Sequence, residues 1–405
     1  MSFLTSTPDL TGTIFTLENL EYSRYFFTTK LKGYLPSWID NPTGELKIYW
    51  NRNDVEAACY LIELCRLLFL LDKRRSERSE ILLREKIKQL FTLSEKQFNE
   101  TLAEIQIGWL FSEMAQPISF EPKVPESKLN SSKKPKSPDF GIRLPDGDVF
   151  IEASVLNFKQ LYDWYKISER LEIQLWRLVQ KLKLRRLIRL ELPLSFGKRD
   201  ITQKVVSELK DKMITSSIGE HEFIINKSNV GRIKWEHMPH IEIPNNTPED
   251  FTTRFPEEVN MFTAASEDTE IHSSIGIAKI LTDTIDDEVL YNAIISKLKE
   301  KKDQFKGKIG KIGIPYLLVI KPNLRINKYS IEAIINKRIW PNRLHSWVTG
   351  ICLFYPRKNF EKDSPPPSLT YILNPNADNK PSKSLMDMLE GKKKFQYKEG
   401  KFLIN

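Results

Sequence analysis

Cysteine is scarce in this 405-residue chain: Cys59, Cys65 and Cys352 form no CxxC pair and leave one over. They offer no disulfide framework, and the count points to a reducing, cytoplasmic setting. No charged start is followed by an apolar stretch of the kind that directs export. Long apolar runs are missing as well. The most apolar window, 55–71, is interrupted by Glu56, Glu63 and Arg66 on one side of a helix. That pattern describes an amphipathic helix with a buried face, so no membrane span is expected. The chain has no glycine-rich phosphate loop, which argues against an ATPase or a nicotinamide enzyme. It has no HExxH either. His237 and His240 beside Glu236 lack a third ligand and Pro239 argues against a helix there, so no zinc is expected. No spacing suggests a Ser/His/Asp or Cys/His set, and no internal repeat is visible.

What is present is a chain able to fold. Apolar residues make up 40% and charged residues 28%, enough for a sizeable core under a wet surface. The length implies two or three packed units. A net charge of +9, with a pI near 9.1, draws polyanions, for which nucleic acid or an anionic membrane is the usual partner. A merely solvated lysine-rich surface gives the same number.

The pattern divides the chain as follows. Residues 1–93 read as an N-terminal helical region, with Asn53 or Asp54 capping a helix that runs to Leu71. Residues 94–215 open a core: a helix from a Ser94 capping box to about Gln116, strands near 118–124, 138–144 and 148–156, a long helix over 158–183, a strand near 187–194 and a helix over 201–213. Residues 216–280 read as an irregular, β-rich insertion. Residues 281–356 continue the core, with a helix over 286–305 and buried strands at 316–320 and 347–355. The proline- and lysine-rich stretch 357–405 is expected to be loosely held.

Within 94–194 three acids stand out: Glu104 on the helix, Asp139 in Pro138-Asp139-Phe140, and Glu152 in Phe150-Ile151-Glu152-Ala153-Ser154. Strand side chains alternate, so Val149, Ile151 and Ala153 share one face while Glu152 and Ser154 take the other. On the preceding strand Phe140, Ile142 and Leu144 form the apolar set, leaving Asp139 and Gly141 opposite. With Pro145–Asp148 as the turn, Ile142 faces Ile151, Gly141 lies beside Glu152, and Asp139 lies beside Ser154. A one-residue slip would mix apolar and polar faces, so the pattern rejects it. Asp139 and Glu152 then fall on one surface as diagonal neighbours, about 7–8 Å apart, and can share a cation. Two adjacent carboxylates favour recruiting Mg²⁺ or Mn²⁺. Gly141, lacking a side chain, is expected to leave room for a substrate backbone.

This helical Glu, then Pro-Asp on one strand, then Glu-x-x on its partner, resembles the PD-(D/E)XK nuclease superfamily over roughly residues 95–200. The resemblance implies an α/β fold with a restriction-endonuclease-like mixed β-sheet core flanked by helices. It also implies that Asp139 and Glu152 hold the metal and that Glu104 supports it. The departure is Ser154, which stands where the family pattern has lysine and carries no charge. Lys301 is a candidate replacement: on the stripe Leu290, Ile294, Leu298, Lys301, Phe305 it occupies a position whose period calls for an apolar residue. Lys297 lies one turn earlier and Gln304 three residues later, loosely matching a Lys…Lys…Gln helix in some relatives of that superfamily. A snorkelling lysine is the competing explanation. Lys159 is a weaker candidate, and Lys133, Lys134 and Lys136, just ahead of Asp139, belong either to a loop that contacts a nucleic-acid backbone or to a mobile linker. The basic run 177–189 is either a phosphate-binding segment or the solvated end of a helix. The expectation is a metal-dependent nuclease acting on DNA or RNA. The alternative is a catalytically silent nuclease-like module that binds nucleic acid or a protein partner.

Overall fold

The computed structural model describes residues 7–52, 55–93, 95–124, 137–156, 159–193, 195–196, 201–225, 230–237, 259–265, 271–281, 287–304, 312–322, 328–357, 359–398 and 401–404. The chain forms two units: one is built from 1–156 together with 287–405, the other from 157–286.

The first unit opens with helices α1 (Leu17–Tyr25), α2 (Leu46–Asn51), α3 (Val55–Arg74), α4 (Glu80–Thr92) and α5 (Glu95–Met114). Thr16 and Asn19 cap α1 reciprocally, each side chain accepting from the other's backbone N–H. In α3 the apolar residues fall on the stripe predicted for 55–71, and Leu61, Leu64 and Leu68 are buried. The proposed caps of the α3 and α5 helices, at Asn53 or Asp54 and at Ser94, lie outside the described residues. Short strands β1 (Ala115–Gln116) and β2 (Ile118–Phe120) follow, then the hairpin β3 (Phe140–Leu144) and β4 (Gly147–Leu156).

The second unit holds α6 (Lys159–Lys181), β5 (Arg185–Leu192), α7 (Thr202–Thr215), β6 (Gly219–Ile224), β7 (Val230–His237), β8 (Val259–Ala265) and β9 (Ile271–Leu281). Its sheet runs in the order β6-β7-β5-β9-β8. Trp164, Leu171 and Leu175 of α6 and Val205, Leu209 and Met213 of α7 share a core with Ile188 and Leu190 of β5.

The chain returns to the first unit through α8 (Asp287–Gln304), β10 (Tyr316–Pro322), α9 (Lys328–Ile334), β11 (Gly350–Tyr355), β12 (Ser368–Leu373), α10 (Lys383–Leu389), β13 (Phe395–Lys398) and β14 (Lys401–Ile404). Its six-stranded mixed sheet has the order β12-β11-β10-β4-β3-β2, parallel between β4, β10 and β11 and antiparallel at both ends. Strands β1, β13 and β14 form a small separate sheet. Helix α5 lies so close to the main sheet that a Cβ on Gly108 would come within 2.9 Å of the Phe140 ring. Glycine at that helical position is a packing requirement.

Four expectations need correction. Strand β5 does not extend the acid-bearing sheet. It pairs with β7 and β9 in the second unit, and the parallel neighbour of β4 is β10. The unit boundaries accordingly fall at 156/157 and 286/287 rather than 215/216 and 280/281. Residues 1–93 are no separate region: α3 and α4 share one continuous core with Ile142, Ile151 and Val319 of the sheet. The segment after 357 is tied down, with β12 pairing along β11 and Leu385, Met388 and Phe395 buried in that same core.

The β3–β4 turn is also shorter than expected. Leu144 pairs with Gly147 across a two-residue loop, Pro145-Asp146, and Gly147 takes φ +134°, where a side chain would be strained. The pairing is therefore displaced by two residues: Ile142 faces Val149 and Phe140 faces Ile151. An even displacement leaves every side chain on its predicted face.

Candidate active site

Continuing the β3–β4 ladder one step beyond the Phe140–Ile151 pair brings Asp139 directly beside Glu152, closer than the diagonal placement the sequence suggested. Two hydrogen bonds lock this junction. The Asp139 N–H donates to Glu152 Oε2 at 3.3 Å, and the Ala153 N–H donates to Asp139 Oδ2 at 2.9 Å. Each acid is thus oriented by the backbone of the other's strand. Glu152 is almost wholly buried, at 1% exposed, whereas Asp139 is half-buried.

A buried carboxylate requires a counter-charge. Lys301 of α8 supplies it, its Nζ lying 2.5 Å from Glu152 Oε1. Lys301 is itself buried, which explains why it interrupts an apolar stripe: Leu290, Ile294 and Leu298 bury the same face of α8. Burial draws the Lys301 ammonium pKa down, but the charges of Glu152 and Asp139 together outweigh burial and hold it above the ordinary lysine value.

Glu104 reaches the same cluster from α5. Its carboxyl is raised above the usual range by burial and then by the negative charge of Asp139, with Lys86 and Lys301 opposing. It pairs directly with Lys86 of α4. Tyr316, first residue of β10, completes the set. Leu318 is in register with Glu152, so Tyr316 points to the same side of the sheet, and its phenol is pushed well up by burial and by the charges of Glu152 and Asp139.

The structure brings together Glu104, Asp139, Glu152 and Lys301. It does not bring in Lys297, which pairs instead with Glu300 at 3.1 Å. Lys133, Lys134 and Lys136 lie outside the described residues, as does His240. Lys159 opens α6 and Gln304 ends α8, but their side chains lie outside the described residues. Ser154 is buried on the Glu152 side of β4, opposite Ile320 of β10. The space above Gly141 is filled: a Cβ there would lie 2.9 Å from Pro122, so that glycine accommodates the chain itself and leaves no opening for substrate. In the basic run 177–189, Arg186 is buried and donates to the Met213 carbonyl at 2.9 Å, a structural role inside the second unit.

Sequence reasoning missed Lys86 and Tyr316. Lys86 borders the buried stripe Leu83, Ile87, Leu90, and that position was the available signal. Tyr316 carried a fainter one, a hydroxyl at the head of an otherwise apolar strand.

Among the described residues, no group of three or more His, Cys, Asp or Glu side chains is gathered as a cage for a metal. A hard ion that keeps most of its waters and takes one or two carboxylates plus substrate oxygens needs no such cage, and the oxygen-only donor pair Asp139/Glu152 fits that behaviour. No helix among the described residues is long and apolar enough to cross a membrane. Neither a family model, nor a curated protein, nor a solved structure matches the chain.

Proposed function

We propose that this protein is a metal-dependent phosphodiester hydrolase acting on nucleic acid, with a restriction-endonuclease-like arrangement of its mixed sheet and flanking helices. One observation carries the reading. A buried lysine from a distant helix is placed on a buried glutamate whose strand neighbour is a half-exposed aspartate. Ordinary cores avoid such groupings because desolvating two carboxylates and an ammonium is costly, whereas sites that handle charged intermediates require them.

Asp139 and Glu152 are the residues that would hold Mg²⁺ or Mn²⁺. That ion, once bound, supplies an acidified water and neutralises charge on the phosphoryl oxygens. Lys301 takes the place left by Ser154, giving a positive charge held by Glu152 beside the site, where a phosphate oxygen or an attacking water would meet it. Glu104, with its carboxyl raised, is suited to accept a proton nearer neutrality than a solvated glutamate does. The +9 net charge favours a polyanionic substrate.

A second reading is favoured by the way Glu152 is engaged: Lys301 holds Oε1 and the Asp139 amide holds Oε2. A module that binds nucleic acid without cutting it would preserve the same structure. The test is cleavage of plasmid DNA and of RNA in Mg²⁺ or Mn²⁺, beside Asp139→Asn and Glu152→Gln. Loss of cleavage by about 100-fold or more in both variants supports hydrolysis. Cleavage untouched by either substitution removes the proposed chemistry, and salt-sensitive binding without cleavage establishes the second reading.

A further inference from the structure

The face of the main sheet opposite Glu152 carries a second polar feature. Lys321 follows Tyr316, Leu318 and Ile320 in odd register, pairing with Val155, so it projects to the side covered by α3 and α5. There it lines a cavity of about 260 Å³, together with Gln106 and Trp109 of α5 and Phe354 of β11. This is slightly below the roughly 300–1,000 Å³ of pockets that hold drug-sized molecules.

The polar groups of this cavity are unbalanced. Its two carboxylates are already neutralised: Glu63 is held by both nitrogens of Arg66 at 2.7 and 2.9 Å, and Glu56 by Arg52 at 2.5 Å. Lys321, by contrast, donates to the neutral amide oxygen of Gln106 at 2.9 Å and has no acidic partner among the described residues. Burial alone pushes its ammonium down to about 8, and no neighbouring charge restores it. Trp109 adds an idle donor: its buried Nε1 has no hydrogen-bond partner among the described residues. Around these donors the walls are aromatic and aliphatic. Tyr49 and Tyr60 stack face to face at 4.0 Å, and Leu64, Leu67 and Phe360 line the remainder.

We propose that this cavity is a binding site for a small aromatic carboxylate, its ring held among the aromatic walls and its carboxylate on the Lys321 ammonium and Trp109 N–H. One bound anion would supply Lys321 with a counter-charge and satisfy the idle indole donor. Arg357 also lines the cavity, its guanidinium donating to the Ser364 carbonyl at 2.5 Å. The site is distinct from the Lys301–Glu152 pair, which lies on the other face of the sheet.

Isothermal titration of the full-length chain with benzoate and 2-naphthoate, and with 2-naphthamide as the uncharged match, tests it. Saturable one-to-one binding of at least one acid is expected. The amide should bind about tenfold more weakly or worse, because it forfeits a charge-assisted hydrogen bond. Lys321→Met should weaken the acid about tenfold while leaving the amide unchanged. No saturable binding of either acid overturns the proposal, and so does equal affinity for naphthoate and naphthamide in the unmodified protein. That comparison needs no substitution and decides the matter even where Lys321→Met fails to fold. Trp109→Phe, which keeps an aromatic side chain but removes the N–H, should weaken the acid more than the amide.

Discussion

At the scale of single residues, the decisive interaction is the buried Lys301–Glu152 pair, and two predictions belong to it. Removing one partner of a buried pair leaves the other charge desolvated, so Lys301→Met should destabilise the protein by about 3–5 kcal/mol. The double variant Lys301→Met, Glu152→Gln should recover much of that loss, as a denaturation cycle would measure. The Lys301 pKa is raised on folding, so its stabilising contribution is complete below the ordinary lysine range. It disappears as pH climbs through the raised value. Alkaline melting should therefore be shallower in Lys301→Met than in the unmodified protein. Glu104 has the same sign, in a more acidic range. Its carboxyl is raised by burial first and by Asp139 second, so the folded chain holds this proton more tightly than the unfolded chain does. Stability is thus lost as pH rises from the usual glutamate range through the raised value. Glu104→Gln should remove that loss: the variant's melting temperature relative to the parent should rise between pH 4 and pH 8. An unchanged difference across that range would contradict the assignment.

At the scale of elements, the tail shows what composition conceals. Its prolines, asparagines and lysines read as a loose end, because low apolar density is the usual mark of weak docking. Yet β12 forms a six-residue antiparallel ladder with β11, and α10 inserts Leu385 and Met388 into the main core. A few well-placed apolar side chains suffice to anchor a polar segment, and their spacing over one short helix is too brief to stand out as a period. Leu385→Ala should cost about 2–5 kcal/mol in chemical denaturation, the range for a fully buried leucine. A loosely held tail would give a change near zero. The β3–β4 hairpin makes the complementary point. Its face assignment was legible in the alternation of Phe140, Ile142 and Leu144, whereas its turn was misjudged because Gly147 enters the ladder instead of the loop.

At the scale of the molecule, the acid-bearing unit is interrupted between β4 and α8 by 157–286. Parallel neighbours β4 and β10 require a crossover connection, and α8 is that crossover. The second unit is thus an insertion within a β–α–β element, with its own sheet and its own buried residues. Joining Leu156 to Asp287 through a flexible linker of roughly 15 residues should leave a protein with one cooperative thermal transition. Loss of that transition would show that the inserted unit is needed for the first to fold.

The sequence by itself determined which side chains share a face. Strand alternation put Asp139 and Glu152 on the same side whether the hairpin paired in one register or two residues away, and Lys301 was visible as a charge in an apolar stripe. Which strand neighbours β4, and which charge meets Glu152 across 149 residues of chain, only the tertiary structure decided. The physical reason is that periodicity is local, written in the spacing of a few residues. Pairing between distant segments is settled by the packing of the whole core, and no short window of residues contains that information.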